Sequence, residues 1–183
     1  MTNTAAVETI REHGLRFLGI VEDRTAPRAV RAFACDVVWS ALVYAKDERM
    51  LAAILGAVGR AVDADDEPPL LLLRSLNIAF EFDRVVAAEI MRLGERAYDL
   101  GHITALARVT SSVRLRSGAY PGAPTAPAHW VRRLVGTSTP EDARPEVLSA
   151  VDAWLTDERT DVEEVSDVIP NPQAWIDLAL ARM

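Results

Sequence analysis

The chain has 183 residues, of which 50% are hydrophobic and 26% charged, and a net charge of −7, totals that fit globular material and exclude a disordered chain or a fibrous repeat. One cysteine excludes an intrachain disulfide and a cysteine-held zinc. The longest apolar run, Met50 to Leu55, is far short of the ~20 residues needed to span a bilayer, and the N-terminal residues lack the pattern of a secretory signal, so a bacterial-type cytoplasmic location away from membranes is expected.

Hydrophobic spacing is helical nearly throughout, and no segment sustains a period-2 alternation, which makes the class all-α. Helix starts near positions 4, 27, 47, 69, 83 and 102 suit helical hairpins, as in bundles or HEAT-like stacks. No residue pattern repeats at a fixed period, so an irregular bundle of about eight helices in one domain, residues 1–183, is the expected architecture.

Between Pro27 and Ala45, Val30, Phe33, Ala34, Val37, Ala41 and Tyr44 recur at helical spacing, Val38, Trp39, Leu42 and Val43 widen the stripe, and Arg28, Arg31 and Asp36 take other faces. Cys35 lies in this helix and is expected to be a small buried hydrophobe. Asp47 is a plausible N-cap for a helix carrying Met50, Leu51, Ile54, Leu55, Val58 and Val62, in which Gly56 and Gly59 suggest either close approach or a weak helix. Pro68-Pro69 opens the next helix, with Leu70, Leu73, Leu76 and Phe80, because proline fits a first helical turn. Asp83 is a second cap candidate, before a helix with Val86, Ile90, Leu93, Ala97 and Leu100, which Gly101 stops.

A further helix carries Ile103, Leu106, Thr110 and Val113. Residues 117–128 contain Gly118, Pro121, Gly122, Pro124 and Pro127 and are expected to form one long loop. A short helix around Trp130 to Val135 follows, then a helix start at Thr139-Pro140-Glu141-Asp142, with the regular helix running from Glu146 to Leu155. Thr160-Asp161-Val162-Glu163 has capping-box form, and Asn171-Pro172 begins the last helix, with Trp175, Ile176 and Ala179 facing inward. The four tryptophans, with Phe17, Phe33, Phe80, Phe82 and Tyr44, are read as core.

Charge is segregated along the chain. Residues 100–140 hold five arginines, Arg108, Arg114, Arg116, Arg132 and Arg133, and no acid, whereas residues 141–167 hold ten acids against Arg144 and Arg159. With Tyr120, His129 and Trp130 beside them, those arginines are the candidate ligand- or partner-binding residues, because guanidinium forks match carboxylates and phosphates. The competing reading is that the acidic stretch folds back on the basic one. Nucleic acid fits poorly, since five arginines make few phosphate contacts on an acidic chain.

Asp63-Ala64-Asp65-Asp66-Glu67 invites a metal reading, but an EF-hand loop needs glycine where Pro68 stands, so a linker and helix cap is preferred. His13, His102 and His129 form no pair at ligand spacing, and no nucleophile elbow, phosphate loop or dinucleotide fingerprint occurs. No metal or cofactor is therefore expected and no catalytic residue is assigned. Ala32-Phe33-Ala34-Cys35-Asp36 followed by Asp47-Glu48-Arg49 resembles, in outline, the opening of certain all-helical bacterial immunity proteins, a likeness that transfers no functional residue. The expected function is protein–protein interaction by a non-enzymatic helical protein (an adaptor, regulator or immunity-type binder) with another protein or a second copy as partner. The alternative is a helical small-molecule domain, catalytic or not, with the arginine cluster holding an anion under the proline-rich loop.

Overall fold

The computed structural model describes residues 4–73, 83–114, 125–156 and 162–181. Among them are ten helices and no strand: α1 (Thr4–Glu22), α2 (Arg28–Ala45), α3 (Glu48–Asp63), α4 (Glu67–Leu70), α5 (Asp83–Asp99), α6 (Ile103–Arg114), α7 (Thr125–Gly136), α8 (Pro145–Leu155), α9 (Val162–Val168) and α10 (Pro172–Ala181). The all-α class is as expected, and none of these helices is long and apolar enough to cross a membrane. Contacts divide the chain within α5 into two compact units, residues 1–89 and 90–183.

In the first unit α1 and α2 form the most extensive helix pair, an antiparallel hairpin against which α3 and α4 pack. The turn between them is closed by Asp23, whose carboxylate accepts from the Thr25 hydroxyl at 2.7 Å and the Thr25 N–H at 2.9 Å. Those bonds favour the ionised form and hold its carboxyl below the ordinary range. At the other end, Lys46 adopts a left-handed conformation (φ 47°) and donates its N–H to the Leu42 carbonyl, ending α2. Asp47 then caps α3 as expected, accepting from the Met50 N–H at 2.9 Å. Gly14 on α1 is a close-approach glycine of this unit, since a Cβ there would lie 2.8 Å from Ala41 Cβ on α2. Gly56, by contrast, meets only its neighbour Arg60, so the close approach suggested for it is not made.

The inward face of α2 keeps Ala34, Cys35, Val38, Ala41 and Leu42 of the expected one but is turned toward Arg31. Arg31, Ala34, Cys35, Val38, Ala41 and Leu42 are buried, while Val30, Phe33, Trp39 and Tyr44 are exposed. The helix is rotated relative to the hydrophobic reading because Arg31 belongs to the core. Its Nε donates to the Val21 carbonyl at 2.8 Å, and its two terminal nitrogens grip both oxygens of Asp66. Asp66 therefore occupies the N-cap position of α4 without capping it. Its carboxylate turns to Arg31, and Glu67 pairs with Arg28. The last two acids of the run are thus ion-paired. Pro68 and Pro69 do start a helix, but a short one, followed by a single tight turn at 71–73. Leu76, Phe80 and Phe82 lie outside the described residues.

Cys35 is buried as expected, with its thiol donating to the Pro68 carbonyl at 3.1 Å. Burial, with the Asp36 carboxylate beside it, pushes that thiol up to about 12, so the reactive thiolate is scarce at neutral pH. Native protein should react with a thiol reagent orders of magnitude more slowly than protein in denaturant. Equal rates in a timed labelling experiment would contradict this packing.

The second unit is built on α6, α7 and α8, which contact one another, with α9 on α7 and α10 on α8. Its core includes Leu93, Ala97, Val109, Trp130, Leu134, Val147, Val151, Trp154, Ile169 and Trp175. α7 begins at Thr125, earlier than the expected loop end at Ala128, because Pro127 falls in its first turn, where no N–H is required. Residues 117–124, the rest of that expected loop, lie outside the described residues, as do Thr160 and Asp161. Thr139 to Asp142 form a turn, with the Thr139 hydroxyl 3.3 Å from the Asp142 carboxylate, and not a helix start. Pro145 disfavours helical backbone at Arg144 and instead takes the first position of α8.

Candidate functional site

The basic segment does not converge as one cluster. Arg108 on α6 pairs with Glu146 on α8 at 3.1 Å, with both side chains mostly buried. That contact joins the basic stretch to the acidic one and favours, for this arginine, the fold-back reading. Arg132 on α7 donates to the Asp167 backbone carbonyl at the end of α9, at 3.3 Å. Arg116 and Tyr120 lie outside the described residues, as does the side chain of Arg114.

Trp130 was a candidate binding residue and is instead fully buried. Its indole N–H donates to the Glu95 carboxylate on α5 at 2.9 Å, and its six-membered ring fills the notch left by Gly94. It anchors α7 to the C-terminal half of α5. That anchoring brings the remaining candidates to the surface beside a residue the sequence reading missed, Tyr98. Arg133 lays its guanidinium over the Tyr98 ring, with Cζ 3.9 Å from the centroid. His129 sets its ring edge-on to the same tyrosine, with centroids 5.8 Å apart and planes at 68°. Both His129 and Arg133 are exposed, and Tyr98 is half-buried. Nothing in the sequence near Tyr98 marks it, because its partners are about thirty residues away on another helix; only the helix–helix register joins them.

In the first unit, a cleft of about 190 Å³ is lined by Glu22, Arg24, Ala57, Arg60, Ala61, Asp66 and Pro69. It falls below the ~300 to 1,000 Å³ of ordinary small-molecule sites. Its two carboxylates are already engaged, Glu22 by Arg60 at 2.7 Å and Asp66 by Arg24 at 3.5 Å and by Arg31. Among the described residues no group of three or more His, Cys, Asp or Glu side chains is placed to hold a metal ion.

The other surface feature of the first unit is apolar. Phe33 is 64% exposed, Tyr44 75% and Val30 46%. Together with the half-buried Val37 they occupy positions 30, 33, 37 and 44, one stripe along α2. Trp39, 40% exposed, lies on the opposite flank of the buried face. Compared with protein-family models, with curated proteins and with solved structures, the chain matches none.

Proposed function

We propose that the protein is non-enzymatic and acts by binding another protein through the exposed stripe of α2. The observation that carries this reading is the exposure of Phe33 and Tyr44 on one helix face with Val30. Each aromatic side chain offers ~150 to 250 Å² for burial, so these two leave roughly 200 to 350 Å² of aromatic surface in water. With valine beside it, this surface approaches the ~300 to 600 Å² of the largest apolar patch on an ordinary monomer, which is often functional. Tyrosine and phenylalanine at the centre of a patch are also the residue types enriched where partners dock.

Because these side chains contribute little to the core, folding and binding should separate. Phe33→Ser with Tyr44→Ser should change unfolding stability by no more than about 0.5 kcal/mol each, as for other exposed substitutions. The same pair should abolish stoichiometric co-purification of the partner from the cells that make the protein. Retention of the same proteins by both forms would overturn the reading. So would a loss of several kcal/mol in a urea titration, which would return the two aromatics to the core.

A further inference from the structure

We propose that Tyr98, His129 and Arg133 form a receptor for an oxyanion, carboxylate or phosphate, on the second unit. This site stands independently of the α2 stripe. Stacking on Tyr98 occupies the flat face of the Arg133 guanidinium, and leaves the N–H groups along its edges, which are the part that grips a carboxylate or phosphate bidentately. Among the described residues no carboxylate takes those N–H groups up.

His129 stands four residues before Arg133, one turn away on the same face of α7, and the same tyrosine orients its ring. Tyr98 thus contacts both nitrogen-bearing side chains through its ring. An arginine held in advance loses less freedom when an anion arrives, which favours binding over an unsupported surface arginine. The charges around the triad are of both signs. Glu95, one turn before Tyr98 on α5, accepts from the Trp130 indole and keeps its negative charge, against which Arg132 adds a second cation beside Arg133.

The test follows the His129 ring signal by NMR while the protein is titrated at low salt with inorganic phosphate and, separately, with a tetraglutamate peptide. A saturable shift with either probe is expected. Phosphate alone would identify a small-anion site, and the peptide alone or more tightly would identify an acidic segment as the ligand. Arg133→Lys keeps the charge but loses the fork and the stack, and should weaken binding about tenfold, the loss expected for a charge-assisted hydrogen bond. Tyr98→Leu, which preserves apolar bulk, should weaken it several-fold, while the His13 signal stays still throughout. No shift of His129 with either probe, or wild-type affinity in either variant, would overturn the proposal.

Discussion

Asp66→Ala should destabilise the first unit by about 3 to 5 kcal/mol, because it leaves the Arg31 charge buried without a carboxylate, and Arg31→Ala should cost somewhat less, because Asp66 then keeps only the exposed Arg24 at 3.5 Å. The Arg31 side chain is 7% exposed and that of Asp66 14%, so water can replace little of what the partner supplied. The pair ties three parts of the chain together. Arg31 sits on α2, Asp66 immediately before α4, and the Val21 carbonyl that Arg31 also reaches lies in the last turn of α1. A double variant, Arg31→Met with Asp66→Leu, should recover most of the loss, since well-packed apolar replacements of buried pairs are often neutral. Hydrogen exchange across α1 to α3 measures the effect locally. Loss of protection in both single variants and its return in the double variant are expected.

Gly94→Ala should cost about 1 to 3 kcal/mol by overpacking, and Trp130→Ala about 3 to 5 kcal/mol by leaving a cavity. A Cβ at position 94 would lie 2.9 Å from Trp130 Cε2 and closer still to Cζ2 and Cη2. The indole cannot swing away, because it is fully buried and its N–H is held by Glu95. Trp130→Phe shortens the ring at the atoms that would clash, so Gly94→Ala should cost less in that background than in the wild type. Equal costs in a thermal-denaturation cycle would show that the two positions are not coupled. Because Trp130 also sets the register between α5 and α7, the His129 edge contact with Tyr98 should be disturbed in Trp130→Ala.

Helical periodicity made most elements legible, including the Asp47 cap, the start of α10 at Asn171-Pro172 and the burial of Cys35, Trp154 and Trp175. These depend on local spacing and on the backbone limits of proline, which a single sequence carries. The face of α2 was not legible in the same way. Its buried stripe, Arg31-Ala34-Cys35-Val38-Ala41-Leu42, has ordinary core spacing, but a hydrophobic count passes over any stripe containing arginine. The count centres instead on Val30, Phe33, Ala34, Val37, Ala41 and Tyr44, a set that shares only Ala34 and Ala41 with the buried stripe and reaches Val38 and Leu42 only as its widening. What licenses Arg31 in the core is Asp66, 35 residues away, and no local pattern reports that. The same limit applied to the arginine segment. Charge segregation was visible, but the structure sends Arg108 to Glu146, Arg132 to the end of α9 and Arg133 to Tyr98.

The central claim is that the exposed stripe of α2 meets another protein, and site-specific photo-crosslinking in the cells that make the protein tests it most directly. A photoreactive phenylalanine analogue in place of Phe33 or Tyr44 should yield one discrete adduct with a second protein on illumination, and the same analogue in place of Arg16, exposed on α1, should not. An adduct of twice the 20.0 kDa chain mass would identify a second copy as the partner, contradicting a distinct one. No adduct at either position, or the same products from all three, would contradict the account altogether.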